Sequence, residues 1–324
     1  MPENIRENVP LKEYSTFKIG GNADYFCEAA NEREVLEALD FAIEKKLPVF
    51  ILGRGSNLLI SGNGFRGLVI RIEKKEVVIK KTKEGCEVSS GAGMSLTKLI
   101  LDLQKKGISG LEWGAGIPAT VGGAVCNNAG AYGKDMGGVV KSVKIIEMTF
   151  DASGGLANYQ KREMPQKDCR FAYRKSIFKS DKKFVILGAT FSLFEENSGD
   201  MKKAIEETMK NRAGKQPLEY PNIGSIFKNQ EVSPAEAEKI FAESPEDRER
   251  FRPGIIPAGW LIEQAGLRGK KVGGAMVSEK HCNFIVNTGN ATAEDVVILI
   301  SLIKQKVRVK FDVQLSEEIE YVGF

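Results

Sequence analysis

Residues 110–133, GLEWGAGIPATVGGAVCNNAGAYG, are the stretch on which the interpretation of this chain depends. They contain seven glycines and one charged side chain, Glu112, and they follow neither the helical nor the strand period. Glycine loses more conformational entropy on folding than other residues, so a packed core segment would gain little from so many. Such a run suits a backbone whose N–H groups approach phosphate oxygens.

A second glycine-containing loop, LGRGSNLLI at residues 52–60, follows an apolar strand candidate at residues 48–52. Its backbone can cradle an anion in the same way. Two such loops indicate a ligand that carries a pyrophosphate. For either loop alone, a pair of tight turns is an equally good interpretation.

The composition is that of a soluble globular protein. The chain has 324 residues, 42% hydrophobic and 28% charged, which is enough for two or three domains. Its net charge of +4 argues against a dedicated nucleic-acid binder but allows an anionic ligand in a local basic pocket. The N-terminus lacks an apolar signal region, and the longest apolar run, residues 296–300, is too short to span a membrane. We therefore expect a cytoplasmic protein without a membrane partner.

Cysteine and histidine usage narrows the chemistry. The five cysteines are widely spaced and form no C-x-x-C pair, which argues against zinc and disulfide frameworks. His281 is the only histidine, so histidine-based triads and metal clusters are not expected. Proton transfer must then use other groups, and no metal site is predicted.

The N-terminal part has a β-α-β pattern followed by a region rich in strands. Asn31 and Glu34 form a capping pair for a helix over residues 32–46. A polar break follows at residues 195–199, after which Asp200 can cap a helix to about residue 212. The other predicted elements are strands at 23–29, 48–52, 68–72, 76–81, 86–90, 139–150 and 184–194, and a helix at 95–106.

The C-terminal part has an α+β pattern. Thr292 is the predicted cap of a long helix that begins at residue 293. The alternation over residues 311–321 indicates one or two strands. The other predicted elements are a charged helical stretch at 234–250, a helix at 258–265 and a short strand at 283–287.

Three further segments could carry chemistry. In residues 169–176, CRFAYRKS, aromatic rings could wall a pocket while Arg174 holds a carboxylate, although composition alone favours a strand with surface cations. Gly224-Ser225 can present a hydroxyl at a tight turn, or the serine can satisfy backbone groups. Glu317 and Glu318 are adjacent, so in a strand only one can face a site, and surface placement of both is the default.

Taken in order, these segments resemble the UDP-N-acetylenolpyruvoylglucosamine reductase family, in its shorter form. Each motif alone is weak, and the ordered set is specific. The matching motifs are TFKIGG (16–21), GRGSNLL (53–59), GIP (116–118), NAGAYG (128–133), YRKS (173–176), GSIFKN (224–229) and AGLRG (265–269).

The resemblance implies an α+β fold. Residues 1–197 would form a two-part FAD-binding module of the vanillyl-alcohol-oxidase (PCMH) type, with parts at about 1–72 and 73–197. Residues 198–311 would form an α+β substrate-binding domain. Residues 312–324 would be a C-terminal strand segment that carries a catalytic glutamate.

The resemblance also implies the reaction. NADPH reduces FAD, whose N5 passes hydride to the vinyl carbon of UDP-N-acetylglucosamine enolpyruvate and yields UDP-N-acetylmuramate for peptidoglycan. Ser225 matches the family's proton donor, and Arg174 matches the arginine that stabilises the developing charge. Alignment to the family's Leu-Glu-Pro-Glu motif selects Glu318 over Glu317, and departures at Ser316 and Glu317 leave that choice open.

Binding residues are carried over in the same way. FAD is expected to be non-covalent, because His281 lies outside the flavin motifs and no cysteine falls at a family attachment position. The protein is expected to be a monomer. The FAD-binding set is Gly53, Arg54, Gly55, Ser56, Asn57, Leu58, Gly116, Ile117, Thr120, Gly122, Gly123 and Gly130, and the substrate-binding set is Tyr173, Lys215 and Asn229.

Two other functions compete with this one. The first is an FAD oxidase of the same superfamily that acts on an alcohol or sugar. The second is a nucleotide-sugar-binding protein without catalysis. Two segments also depart from the family pattern: residues 230–257 are longer and more charged than expected, and Cys126-Asn127 replaces a bulkier apolar pair.

Overall fold

A computed structural model describes residues 2–152, 154–242 and 244–324, and its contacts divide the chain into two compact units. Unit 1 contains the residues up to Val9, Ala23–Arg54 and Phe65–Gly214, and unit 2 contains Pro10–Asn22, Gly55–Gly64 and Lys215–Phe324. The chain therefore enters both units more than once. The limits 1–197, 198–311 and 312–324 stay a prediction.

The elements are numbered along the chain. The strands are β1 (Ile5–Pro10), β2 (Asn22–Ala29), β3 (Val49–Leu52), β4 (Leu58–Ile60), β5 (Phe65–Ile72), β6 (Val77–Thr82), β7 (Gly85–Gly91), β8 (Ile108–Ser109), β9 (Gly130–Ala131), β10 (Lys134–Asp135), β11 (Val140–Phe150), β12 (Leu156–Pro165), β13 (Phe184–Glu195), β14 (Asn222–Ser225), β15 (Gln230–Glu231), β16 (Ile255–Ile256), β17 (Lys271–Val272), β18 (Ala275–Val277), β19 (Phe284–Asn287) and β20 (Glu320–Val322). The α-helices are α1 (Glu32–Lys45), α2 (Leu96–Gln104), α3 (Val121–Cys126), α4 (Ile177–Ser180), α5 (Ser198–Lys215), α6 (Pro234–Ile240), α7 (Pro245–Arg248), α8 (Ala258–Gln264) and α9 (Ala293–Phe311). Short 3₁₀ helices cover Leu11–Tyr14, Glu112–Gly114, Met136–Gly138 and Gln166–Cys169. Among the helices of the described residues, none has both the length and the apolar character that a membrane crossing requires.

The β-α-β prediction is confirmed in unit 1. Strands β2 and β3 both run parallel to β5, in a sheet of order β1-β2-β5-β3. Helix α1 begins where predicted, because Asn31 Oδ1 accepts from Glu34 N at 3.0 Å and the Glu34 carboxylate accepts from Ala30 N at 2.7 Å. The cap satisfies backbone donors that the first helical turn leaves unpaired.

A second sheet in unit 1 is antiparallel, with the order β12-β11-β13-β7-β6. Helix α2 is capped by Ser95 and buries its predicted apolar face, Leu96, Leu99, Ile100 and Leu103. Strand β12 was not predicted. Most of its residues are exposed, so it lacks the alternation that marks a strand, and its pairing with β11 defines it.

Three predicted elements need correction. Helix α5 begins at Ser198 and runs to Lys215, so Asp200 lies in its first turn, where a carboxylate favours the helix dipole, and is not its cap. The described residues of the stretch 234–250, which exclude residue 243, contain two short helices, α6 and α7, and each begins with a proline that suits a first turn.

The third correction concerns residues 311–321. Phe311 ends α9, and Asp312 caps it in the left-handed conformation with φ of 55°. Only β20 is a strand in this stretch. The apolar alternation arises because Leu315 and Ile319 are both buried in the core of unit 2.

Unit 2 has its own sheet and core. The sheet has the order β14-β19-β18-β17, and β20 pairs in parallel with β4. Helix α9 is capped by Thr292 as predicted and buries Val296, Leu299, Ile300, Ile303 and Val307. Phe17 and Leu59 join the same core, which explains why the segments Pro10–Asn22 and Gly55–Gly64 belong to this unit.

A close backbone approach in unit 2 predicts a difference between two glycines. Gly64 has φ of +74°, and a Cβ there would lie 1.8 Å from Asn22 O, whereas Gly266 has φ of +73° and an open surrounding. Gly266→Ala should lower the free energy of unfolding by about 1–2 kcal/mol, the cost of a left-handed alanine. Gly64→Ala should cost clearly more, because backbone must move as well.

Urea unfolding followed by circular dichroism measures both variants. The shared φ makes Gly266→Ala the matched control for backbone strain. Equal losses of stability in the two variants would show that the contact with Asn22 does not constrain the fold.

Candidate functional site

The two glycine-containing loops meet within unit 1. A Cβ on Gly53 would lie 3.0 Å from Thr120 Oγ1 and 4.0 Å from Gly123 Cα. Thr120 Oγ1 in turn accepts from Gly123 N at 3.2 Å. A side chain at position 53 would fill the space between the loops. The residues present therefore fit a group that lies close against backbone, as a pyrophosphate does.

The rest of the first loop has other constraints. Gly116 N donates to Thr97 Oγ1 at 3.1 Å, and Ile117 is half-buried against the core of unit 1. A Cβ on Gly122 would lie 2.9 Å from Ala92 Cβ, so Gly122 allows close packing of α3. Packing alone accounts for this glycine, and its assignment to FAD stays a prediction.

The second half of the loop at residues 52–60 lies in unit 2, where it is hydrogen-bonded to residues 318 and 320. Asn57 Nδ2 donates to Glu318 O at 3.2 Å, and Glu320 N donates to Asn57 O at 2.9 Å. Leu58 then begins β4 and pairs with Glu320. This half of the loop is therefore held by the strand segment that carries the candidate glutamate.

Ser225 and Glu318 are brought together by backbone pairing. Glu318 N donates to Ile226 O at 2.8 Å, and Lys228 N donates to Ser316 O at 2.9 Å. Gly224, with φ of +81°, makes the turn before Ser225. Within the described chain no residue forms a hydrogen bond with Ser225 Oγ, so the hydroxyl does not serve to satisfy local backbone.

The structure distinguishes the two adjacent glutamates. Glu317 Oε1 lies 2.8 Å from Lys304 Nζ of α9. Burial and a hydrogen bond to Glu317 raise the pKa of Tyr321. Since adjacent residues of an extended segment point in opposite directions, Glu318 faces away from this group. Glu317 therefore has a contact of its own with α9, and the assignment of Glu318 as the site residue stays a prediction.

Arg174 lies in a tight turn and not in a strand. Ala172 and Lys175 exchange backbone hydrogen bonds of 3.1 and 2.9 Å, which leaves Tyr173 and Arg174 at the tip. Arg174 is left-handed, with φ of 54°, and its Nη2 donates to Gly130 O at 2.9 Å. The guanidinium lies 5.3 Å from the centroid of the Tyr173 ring. The interpretation as a strand with surface cations was therefore wrong.

Asn128 holds this turn in place, a role that sequence reasoning missed. Its side-chain Nδ2 donates to Ala172 O at 2.8 Å and to Asp135 Oδ2 at 3.1 Å, and its Oδ1 accepts from Gly137 N at 2.8 Å. The residue is 1% exposed and has φ of 42°, a conformation that asparagine tolerates. The sequence signal that could have indicated this role was a polar asparagine within a run of glycines and alanines.

Arg212 is a second cation that sequence reasoning missed. A Cβ on Gly116 would lie 3.3 Å from Arg212 Cδ and 3.5 Å from its Nε. Burial lowers the pKa of Arg212, and the positive charge of Arg174 acts in the same direction. The buried Nε has no hydrogen-bond partner among the described residues. Two guanidinium groups beside the first glycine loop suit an anionic ligand.

The predicted substrate residues have different surroundings. Tyr173 is 47% exposed, and Lys215 is exposed at the end of α5. Asn229 Oδ1 accepts from Ala258 N at 3.2 Å, where α8 begins. Asn229 thus has a structural contact of its own, and the three binding roles stay predictions.

His281 is half-buried in unit 2, next to the buried Phe284. Its Nδ1 accepts from Asn283 N at 3.2 Å, and its ring lies 4.8 Å from that of Phe284. Burial lowers the pKa of His281, so the neutral ring is favoured. Among the described residues no group of three or more His, Cys, Asp or Glu side chains could hold a metal ion.

The chain is similar to proteins of known family over nearly its full length. A family model described as UDP-N-acetylenolpyruvoylglucosamine reductase, C-terminal domain, matches residues 216–322, and one described as FAD binding domain matches residues 23–154. The UDP-N-acetylenolpyruvoylglucosamine reductase of Lachnoclostridium phytofermentans is 38% identical over 99% of this chain and 94% of the relative. That of Listeria innocua is 37% identical over 98% of this chain and 95% of the relative.

A solved structure gives the same result. The crystal structure of UDP-N-acetylenolpyruvylglucosamine reductase (MurB) from Thermus caldophilus has a TM-score of 0.73 and 30% identity, over 98% of this chain and 99% of that one. Together the matches confirm the predicted α+β architecture, an FAD-binding module with a C-terminal domain.

Asn128→Ala should strongly destabilise unit 1. The change leaves the partly buried N–H of Gly137 without its acceptor and removes the Asn128 bonds to Ala172 O and Asp135 Oδ2, so we expect a loss of about 1–3 kcal/mol. Urea unfolding measures the loss. Asn158→Ala is the matched control, because Asn158 is exposed on β12. A loss in Asn128→Ala no larger than in the control would contradict the role given to Asn128.

His281 should make stability depend on pH. Its folded pKa is below the ordinary value of 6.5, so the unfolded chain binds the proton more readily. Stability from this group is present above about pH 6.5 and is lost as pH falls through the folded pKa. His281→Gln should therefore lose less stability than the parent protein between about pH 7 and pH 5, measured by urea unfolding. Parallel curves would contradict the burial argument.

Proposed function

The chain belongs to the UDP-N-acetylenolpyruvoylglucosamine reductase family, and we propose that Arg174, Ser225 and Glu318 are its catalytic residues. It is an FAD-dependent oxidoreductase that uses NADPH to reduce UDP-N-acetylglucosamine enolpyruvate to UDP-N-acetylmuramate, in peptidoglycan precursor synthesis. FAD supplies hydride transfer from NADPH to the substrate. This activity is favoured over that of an FAD oxidase.

The backbone of the two loops holds the pyrophosphate of FAD in this proposal. The space between Gly53 and Thr120 supports it, because a Cβ at position 53 would occupy that space. Gly123 N is bonded to Thr120 Oγ1, which fixes the loop before a ligand arrives. The full FAD-binding set is Gly53, Arg54, Gly55, Ser56, Asn57, Leu58, Gly116, Ile117, Thr120, Gly122, Gly123 and Gly130.

Arg174 stabilises charge on the substrate. Hydride addition to the vinyl carbon leaves negative charge on the adjacent carbon, which spreads into the carboxylate conjugated with it. A guanidinium can fork onto that carboxylate. The left-handed turn and the bond to Gly130 O fix the side chain before the substrate binds, which supports preorganised stabilisation.

Ser225 donates the proton that completes the reduction. The hydroxyl follows the Gly224 turn, and no described residue forms a hydrogen bond with its Oγ. A serine hydroxyl is a weak acid, and it can donate here because the accepting carbon is strongly basic. Because the Ser225 hydroxyl is not needed to satisfy local hydrogen bonds, it is available to donate a proton to the substrate.

Glu318 is the third catalytic group. The observation that carries the proposal is the hydrogen bond of 2.8 Å from Glu318 N to Ile226 O. It aligns the glutamate beside the turn at Gly224 and Ser225, which we call the serine turn. A carboxylate there can hold or move a proton next to Ser225. Glu317 is occupied by Lys304, which supports the choice of Glu318.

The substrate contacts extend this proposal. Tyr173 packs beside the substrate, and Lys215 and Asn229 contact its diphosphate. Arg212 adds positive charge near Gly116, where its aliphatic Cδ lies over the loop. Anionic groups on both the substrate and FAD make such charge useful.

The remaining features are also proposals. FAD is bound non-covalently, supported by the burial of His281 in unit 2, and acid precipitation should release all flavin into the supernatant. The protein acts as a cytoplasmic monomer without a nucleic-acid or membrane partner, and its net charge of +4 supports the absence of a nucleic-acid partner. Its functional domains are residues 1–197, 198–311 and 312–324.

Ser225→Ala should separate the two half-reactions. Anaerobic stopped-flow absorbance follows flavin reduction by NADPH and then reoxidation by UDP-N-acetylglucosamine enolpyruvate. Reduction should stay near the parent rate, while reoxidation should fall by about 10²–10⁴, the usual contribution of a positioned acid. Ser301→Ala, an exposed serine of α9, is the control and should change neither step.

Three other outcomes would count against the assignment. Equal loss in both half-reactions would indicate structural damage. If the flavin band of the parent protein bleached with NADPH and did not recover on addition of UDP-N-acetylglucosamine enolpyruvate, the assignment of this substrate would be wrong. Rapid reoxidation by air with turnover of an alcohol would favour the oxidase.

A further inference from the structure

The segment that precedes β20 has no regular secondary structure, although the proposed reaction needs the carboxylate of Glu318, which lies in it, to be held in one position. Helix α9 ends at Phe311, and residues 312–316 belong to neither helix nor strand. Leu315 and Ile319 are buried, so they fix the ends of the stretch that contains Glu318. The residues between them need a further restraint, because an irregular segment has more conformations available than a strand within a sheet.

Three side chains on the opposite side of this segment supply such a restraint. Glu317 Oε1 lies 2.8 Å from Lys304 Nζ, and the Glu317 carboxylate lies near enough to Tyr321 to act with burial in raising the pKa of its hydroxyl. Lys304 stands on α9 between the buried residues Ile303 and Val307, so its backbone is fixed by the core of unit 2. We call Lys304, Glu317 and Tyr321 the clamp.

The backbone pattern shows that the restraint acts through the side chain of Glu317. Residues 227 and 317 form an isolated antiparallel bridge, and its hydrogen bonds come from Lys228 N and Glu318 N. The N–H of Glu317 therefore makes no bond in this bridge. The backbone of Ser316 and Glu318 is hydrogen-bonded to residues 226 and 228, whereas Glu317 is held through its side-chain carboxylate, by Lys304.

We propose that the clamp positions Glu318 for the proton-transfer half of the reaction, an inference that rests on the assignment of Glu318 above. Holding Glu317 toward α9 turns the next side chain to the other face of the segment. In the family's Leu-Glu-Pro-Glu motif a proline occupies this position, and proline restricts φ covalently. In this chain the ion pair of Glu317 with Lys304 supplies the restriction.

Simple stabilisation is the competing explanation, and magnitudes separate the two. The Lys304 and Glu317 side chains are 34% and 21% exposed, and partly exposed ion pairs contribute about 0–1 kcal/mol to stability. By contrast, a displacement of about 1 Å in a reacting group can lower a rate by about 10²-fold. The clamp should therefore affect one rate far more than it affects stability.

The test measures the two half-reactions in variants of the holoenzyme. Glu317→Ala and Lys304→Met should each lower flavin reoxidation by UDP-N-acetylglucosamine enolpyruvate by about 10- to 100-fold. NADPH-driven reduction and the substrate Kd, read from the flavin spectrum, should stay near the parent values. Lys310→Met is the matched control on the same helix, because Lys310 Nζ bonds Gln264 O and not the clamp.

A rescue variant distinguishes positioning from the ion pair itself. Proline at 317 removes an N–H that the bridge does not use and holds φ near about −65°. Glu317→Pro combined with Lys304→Met should therefore restore reoxidation to within about threefold of the parent rate. Failure of this rescue, with both single variants slow, would show that the charges act directly and would overturn the positioning role.

Glu318→Gln separates failure of the clamp from failure of the proposed function. If Glu318→Gln reoxidises at the parent rate, the catalytic assignment of Glu318 is wrong. If Glu318→Gln is slow but Glu317→Ala and Lys304→Met are not, the clamp is wrong and the assignment stands. Equal slowing of both half-reactions with a lower Tm would indicate a merely structural role.

Discussion

Backbone hydrogen bonds made by residues 316–320 are the constraint on which the candidate site depends. They join Lys228 to Ser316, Glu318 to Ile226, and Glu320 to Asn57. Each bond contributes about 0.5–1.5 kcal/mol, and an unpaired buried group costs more than that. The serine turn and half of the second glycine loop thus depend on the last residues of the chain. A short terminal segment can fix a site because it satisfies the backbone of two distant segments at once.

A side chain performs the equivalent task in unit 1. The turn that carries Arg174 includes a left-handed residue, which costs about 1–2 kcal/mol. Asn128 bonds to the carbonyl of Ala172 at the base of this turn, and Arg174 bonds to Gly130 O. The hydrogen bonds offset the strain, and the arginine is oriented before any ligand binds. Strain held by surrounding bonds is a recurrent property of functional sites.

The charges near the first glycine loop do not serve stability. Burial lowers the pKa of Arg212, the charge of Arg174 adds to that effect, and no described residue hydrogen-bonds the buried Nε. Lys304, in contrast, pairs with the carboxylate of Glu317. A cation left without such a partner weakens the empty protein, and an anionic ligand can compensate for it. The proposed role of Arg212 in binding therefore comes at some expense of stability, a trade-off that enzymes commonly show.

Local signals in the sequence determined much of the fold. The caps at Asn31 and Thr292 predicted helix starts correctly, because a cap is formed by residues only three positions apart. The glycine-rich loops indicated a backbone cradle, and the ordered motifs indicated the family that the comparisons confirmed. The catalytic and binding roles drawn from those motifs stay predictions.

Only the tertiary structure decided the features that depend on distant partners. Strand β12 has no alternation of its own and is defined by β11. The roles of Asn128 and Arg212 follow from a turn and a loop far away in sequence. The ion pair of Glu317 with Lys304 on α9, which supports the proposal of Glu318, is likewise a contact between distant segments. A sequence pattern reports which residues share a local face, whereas these features require knowing which segments meet, and that is set by packing of the whole unit.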